Sequence, residues 1–134
     1  MRARILLAVL LVVVVFASGS IASTGPHAKP QQWAIVNFTE PIAVQGHFLM
    51  GPVLIVHDDA RMEKGEPCTS MYRFDRADGS RKLEVEFVCV PEQREACETT
   101  TISVTWNQRA GVNQLTNYQF AGDPEAHGVP WVRQ

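Results

Sequence analysis

Three groups of residues carry side chains able to do chemistry. The first is His57-Asp58-Asp59, at the end of the apolar run VLIVH. A histidine and two carboxylates are the right donors for a divalent metal and equally for acid–base work. A simpler local reading gives Asp59 the cap of a single helical turn, ARMEK (60–64), closed by Gly65 and stopped by Pro67. The second group, Asp123, Glu125 and His127, lies in FAGDPEAHGVPW. Spacing of i, i+2, i+4 aligns three side chains only on an extended strand, and Pro124 and Pro130 argue for irregular backbone instead. The third group is the cysteines, Cys68, Cys89 and Cys97.

Cys68 and Cys89 begin and end the stretch CTSMYRFDRADGSRKLEVEFVC. Asp78-Gly79 is a favoured dipeptide for a two-residue type I′ turn. With that turn at the tip, Asp75 faces Lys82, Arg73 faces Glu84, Tyr72 faces Val85 and Cys68 faces Cys89. Charge pairs fall on one face and apolar pairs on the other, which selects this register. It sets the two cysteines opposite each other at a non-hydrogen-bonded pair, a spacing a disulfide tolerates. A Cys68–Cys89 disulfide is therefore expected, worth about 3 kcal/mol through the unfolded chain. Cys97 is left over and reads as a small, buried apolar residue. Its neighbours Glu95 and Glu98 would raise a thiol pKa and leave it unreactive.

The elements around these groups are short. Runs rich in β-branched and aromatic residues lie at 33–38, 42–44, 53–57, 69–74, 82–90, 100–106 and 114–120, with turn residues between them. No long amphipathic helical pattern interrupts them. The expected fold is all-β: one small sandwich, or partly open barrel, of about seven antiparallel strands with a disulfide-stapled hairpin. A second hairpin around the RAGVN loop (109–113) would pair Ile102 with Phe120, Val104 with Tyr118 and Trp106 with Thr116.

At the N-terminus, Arg2 and Arg4 precede an apolar run from Ile5 to Ala17, and Ser20-Ile21-Ala22 fits a small-x-small cleavage site. Residues 1–22 read as a signal peptide, too short in its apolar part for a spanning helix of about 20 residues. Residues 23–32, with Pro26, Pro30 and His27, read as a flexible leader, and 33–134 as a single domain. The expected location is secreted or periplasmic, with no membrane span after cleavage. Losing Arg2 and Arg4 takes the formal charge from −2 to −4, ten basic against 14 acidic residues. A mildly acidic domain without a basic cluster is not built for nucleic acid.

Templates for catalysis do not fit: the chain has no G-x-S-x-G, H-E-x-x-H, P-loop or C-x-x-C. The leading expectation is a binding or interaction module without chemistry of its own or a cofactor, its partner a protein or small molecule outside the cytoplasm. The alternative is a metal-dependent protein or enzyme using His57, Asp58 or Asp59 together with His127. It requires His57 and His127 to be neighbours in space. A third possibility is an inhibitor that presents the 109–113 loop to an extracellular enzyme.

Three stretches, HDDARMEKGEPCTSMYR (57–73), EFVCVPEQR (86–94) and YQFAGDPEAHGVP (118–130), resemble a group of small exported bacterial proteins of uncharacterised function. The segment EPIAVQGHFLMGPVLIVHD (40–58) is also similar to exported β-sandwich domains. The resemblance implies export and a β fold and carries over no catalytic residue. Members of that group often have a histidine just before the second cysteine. Val88 stands there in this chain, so no shared His–Cys metal site is implied.

Overall fold

The computed structural model describes residues 31–132. The expected signal peptide and most of the leader lie outside them. Within them, eight strands and one helical turn follow in order: β1 (Gln32–Val44), β2 (His47–His57), α1 (Asp59–Glu63), β3 (Thr69–Phe74), β4 (Arg81–Phe87), β5 (Val90–Gln93), β6 (Thr101–Asn107), β7 (Val112–Gln119) and β8 (Glu125–Gly128). The all-β expectation holds, and of its two forms the partly open barrel is the one adopted.

All eight strands belong to one sheet, ordered β4-β3-β2-β1-β7-β8-β5, with β6 on the other edge of β7. Strands β4 and β5 stand at opposite ends of that order, yet only Val88 and Cys89 separate them in the chain. The three Cα–Cα steps from Phe87 to Val90 span at most about 11 Å. The sheet must therefore curl until its two ends nearly meet, and Cys89 lies at the seam. The concave side holds the core, including Phe38, Val44, Leu49, Ile55, Met71, Phe87, Leu115, Tyr118 and Phe120.

Three sequence expectations change. The first two predicted runs are a single strand, β1, whose pairing with β2 shifts between Phe38 and Ile42, around Pro41. The strands are also not all antiparallel. Ile42 and Ala43 of β1 run parallel to Asn113 and Gln114 of β7, a long-range pairing that no local turn announces.

The third change concerns the hairpins. The β3–β4 tip is not a two-residue turn. Asp75 N–H bonds to Ser80 O and Gly79 N–H to Asp75 O, with Gly79 in the left-handed region at φ +71°. The Asp75 and Asp78 carboxylates accept the N–H groups of Ala77 and Ser80, so local side-chain bonds support the wider loop. Tyr72 then pairs with Leu83 and Arg73 with Lys82, and a bulge at Met71/Tyr72 turns Met71 inward and Tyr72 out of the core. The expected Arg73–Glu84 ion pair survives as a diagonal contact at 3.3 Å. In the β6–β7 hairpin Ile102 pairs with Tyr118, and a bulge at Ser103/Val104 leaves Trp106 opposite Asn113 and exposed.

The register also corrects the disulfide. Thr69 pairs with Phe87, so extending the ladder by one residue sets Val88, not Cys89, opposite Cys68. The two sulfurs lie 3.0 Å apart without a bond, and Cys68, Cys89 and Cys97 are all free thiols. Cys97 is half-buried and donates to Phe120 O at 3.5 Å. Among the described residues no helix is long and apolar enough to cross a membrane.

Candidate metal centre

The seam is where the chemistry collects. Strand β2 ends at His57, whose backbone pairs with Thr69 of β3. Strand β8 carries His127, which pairs with Tyr118 of β7 on one side and with Pro91 of β5 on the other. Curling the sheet brings these strands face to face across Cys89. The two imidazoles lie with centroids 3.9 Å apart and planes tilted by 34°, and both histidines are fully buried. The requirement set by the metal-dependent alternative, that His57 and His127 be neighbours, is met.

Each imidazole points its Nδ1 at the same sulfur. His57 Nδ1 and His127 Nδ1 each lie 3.7 Å from Cys89 Sγ. Two donors at about 2.05 and 2.3 Å from a metal, at a near-tetrahedral angle, lie about 3.6 Å apart. Each nitrogen–sulfur spacing, taken as a pair, is that of two ligands on one ion. The sulfur pair differs: two thiolates on one metal would lie about 3.8 Å apart, and Cys68 Sγ sits only 3.0 Å from Cys89 Sγ. Cys68 Sγ also accepts the Cys89 N–H at 3.2 Å. Cys89 is thus the sulfur already at ligand spacing, and Cys68 is a second sulfur beside it. His57, Cys68 and Cys89 form one group whose donor atoms all lie within 4.8 Å, and His57, Glu125 and His127 form another.

The carboxylates stand behind this core. His57 Nε2 and Asp59 Oδ1 are 2.8 Å apart, which fixes the proton on Nε2 and leaves the Nδ1 lone pair facing Cys89. Asp59 is not the helix cap, because its oxygen serves the histidine. Asp58 caps α1 instead, accepting the Arg61 N–H at 3.1 Å. Asp58 is thus occupied by the helix cap, and Asp59 stands behind His57 as its hydrogen-bond partner.

On the other side, Asp123 Oδ2 is 4.0 Å from His127 Nε2, beyond hydrogen-bonding range. His127 Nε2 is buried with no hydrogen-bond partner among the described residues. Glu125 Oε1 lies 3.8 Å from His127 Nδ1. Asp123 is held by the turn after β7: Gly122, at φ +75°, donates to Cys97 O, and the Asp123 carboxylate accepts the Glu125 N–H. The expectation of irregular backbone fails for Glu125 and His127, which are on strand β8, and holds for Asp123. At Gly128, where β5 closes on β8, a Cβ would meet Val90 O at 3.2 Å, a tight contact.

The electrostatics suit a cation. Burial, and then the neighbouring His57, push the His127 imidazole down to about 4, against the pull of Asp123, so it is neutral at pH 7 with a lone pair to offer. Burial, followed by the hydrogen bond and charge of Cys68, pushes the Cys89 thiol up to about 12. Such a thiol is no nucleophile. Burial and the carboxylates of Asp123 and Asp59 raise Glu125. Asp59, Asp123 and Glu125 are partly exposed while both imidazoles are sealed, so the carboxylates face solvent over the donors.

Sequence reasoning found both His-containing groups but read the cysteines as a staple, and it missed two members of the site. Tyr118 stacks on His127 at 5.0 Å and hydrogen-bonds Thr69 Oγ1, which braces the ring. Met62 of α1 places its Sδ 3.9 Å from Cys89 Sγ. The i, i+3 spacing of Asp59 and Met62 on a helical turn was the available signal for the latter. His47 is exposed, and the 109–113 loop instead borders a separate cleft of about 780 Å³ that also carries Phe48, Trp106 and Trp131. The chain matches no protein-family model, and neither a curated protein nor a solved structure matches it significantly.

Proposed function

We propose that this is an exported metal-binding protein, with a single cation held by His57, His127 and Cys89 and a second sulfur, Cys68, alongside. The observation that carries the reading is the convergence of two imidazole Nδ1 atoms on one buried sulfur at 3.7 Å each. Two buried imidazoles cost desolvation that apolar side chains would avoid, which favours a role for them beyond packing. Binding is favoured over catalysis by the burial of both histidines and by the protonated thiol. Export rests on the signal-peptide pattern of residues 1–22 and makes the protein a cation carrier or sensor outside the cytoplasm.

Metal entry has to displace the Cys89 proton. Affinity should therefore rise with pH, and binding should release protons. Oxidation of Cys68 and Cys89 to a disulfide would remove the sulfur, so the metal-binding form is the reduced one. Titration of the reduced protein with Co²⁺, a spectroscopic stand-in for Zn²⁺, tests the reading. The expected result is one equivalent bound, with an intense thiolate-to-metal charge-transfer band. Saturation without any sulfur-derived band, or no binding, would overturn it.

A further inference from the structure

We propose that the cation is copper and that Met62 is its fourth, weak donor, an inference that rests on the metal-binding reading above. Met62 Sδ lies 3.9 Å from Cys89 Sγ. A thiolate at about 2.3 Å and a thioether about half an ångström further out, at an angle near tetrahedral, lie about 4 Å apart. Two histidines, one cysteine and a long methionine form the donor set associated with copper electron-transfer sites. Thioether and thiolate sulfur together select soft Cu(I) over zinc. Structural zinc sites are completed by cysteine and histidine, and a thioether gains them little.

The local architecture supports a deliberate placement of Met62. Asp58 caps α1, the turn starts two residues after His57, and Asp59 and Met62 lie three residues apart on one face of it. That single turn puts a carboxylate on His57 Nε2 and a thioether beside Cys89. Met62 is also only partly buried, packed against the edge of the core instead of filling it. Cys68, its sulfur 3.0 Å from that of Cys89, adds a further soft atom at the seam.

The competing explanation is that Met62 is adaptable packing over the seam. Two anaerobic competition titrations of the reduced protein separate the cases, one with Cu(I) against a chromophoric Cu(I) chelator and one with Zn²⁺ against a chromophoric zinc chelator. Each is run on wild type and Met62→Leu. We expect one Cu(I) per chain, held far more tightly than Zn²⁺. Met62→Leu should weaken Cu(I) by no less than the roughly 10- to 100-fold cost of losing an outer-shell partner, and leave Zn²⁺ unchanged. X-ray absorption of copper-loaded wild type should show nitrogen and sulfur neighbours, with a longer sulfur that a misfolded variant could not obscure. Equal affinity for the two ions, or a Met62→Leu variant that binds copper as wild type does with no long sulfur in the spectrum, would overturn the copper assignment and leave the metal-binding reading standing. Failure to bind either ion would remove both.

Discussion

The two halves of the centre are built from the same parts and finished differently. His57, at the end of β2, has a carboxylate 2.8 Å from its Nε2, supplied by a helical turn that begins two residues later. His127, on β8, has its nearest Nε2 carboxylate at 4.0 Å and no hydrogen bond there. Both rings are buried and both aim Nδ1 at Cys89. The Asp59 carboxylate holds the His57 ring through Nε2, whereas the His127 ring is oriented mainly by packing between His57 and Tyr118. One ring is held by a hydrogen bond to a carboxylate and the other by packing, so the halves should respond differently to mutation and to pH.

The largest effect should come from removing what they share. Cys89→Ser leaves both imidazoles without their common partner, and Co²⁺ or Cu(I) binding should fall below detection. The fold should survive at a cost of about 1–3 kcal/mol in denaturant titration. Retained binding would mean that the histidines and Glu125 suffice.

The pH dependence belongs to the His127 half. Its folded value near 4 lies below the ordinary value of 6.5, so the unfolded chain binds the proton more readily. The metal-free protein should therefore lose stability as pH falls from about 6.5 to about 4, by roughly 3 kcal/mol, and regain it as pH rises. Urea midpoints across that window should show the slope in wild type, and His127→Gln should flatten it. An unchanged slope in the variant would assign the acid sensitivity to another group.

A smaller effect distinguishes the carboxylates. Asp59→Ala should weaken metal binding about 10- to 100-fold, as loss of an outer-shell partner does. Asp123→Ala should cost less than the lower end of that range, since no bond to His127 exists to be broken. Equal losses would indicate that metal binding draws Asp123 onto His127 and erases the asymmetry. The smallest effect is at Asp58, where Ala should cost about 1 kcal/mol of stability through the lost cap and leave metal affinity unchanged.

The sequence made the strands legible because alternation is local: β1 turns every second residue from Ala34 to Phe38 toward the core, with Ala34 and Val36 half-buried and Phe38 buried. Both His-containing groups were also legible as donors, because residue type is visible without a fold. Their meeting was not. It depends on the β7–β8–β5 pairings and on the closure of the sheet at Val88–Cys89, neither of which leaves a mark in local periodicity. The cysteine reading failed for a narrower reason. A wider Asp75–Ser80 turn and a bulge at Met71 shift the register by one to two residues, enough to set Val88 opposite Cys68, while the two sulfurs still lie 3.0 Å apart without a bond. The adjacent aspartates were exchanged because either fits a cap by sequence. Only the position of His57 decides which one is drawn away.

The most direct test of a shared centre is the ¹⁵N resonances of the two imidazoles, followed by long-range ¹H–¹⁵N correlation as the reduced protein is titrated with diamagnetic Cu(I) or Zn²⁺. Cation binding should move Nδ1 of both His57 and His127 together, at one equivalent, with the proton on Nε2 of each ring. Titration of one ring alone, or ligation through Nε2, would contradict a cation held between them.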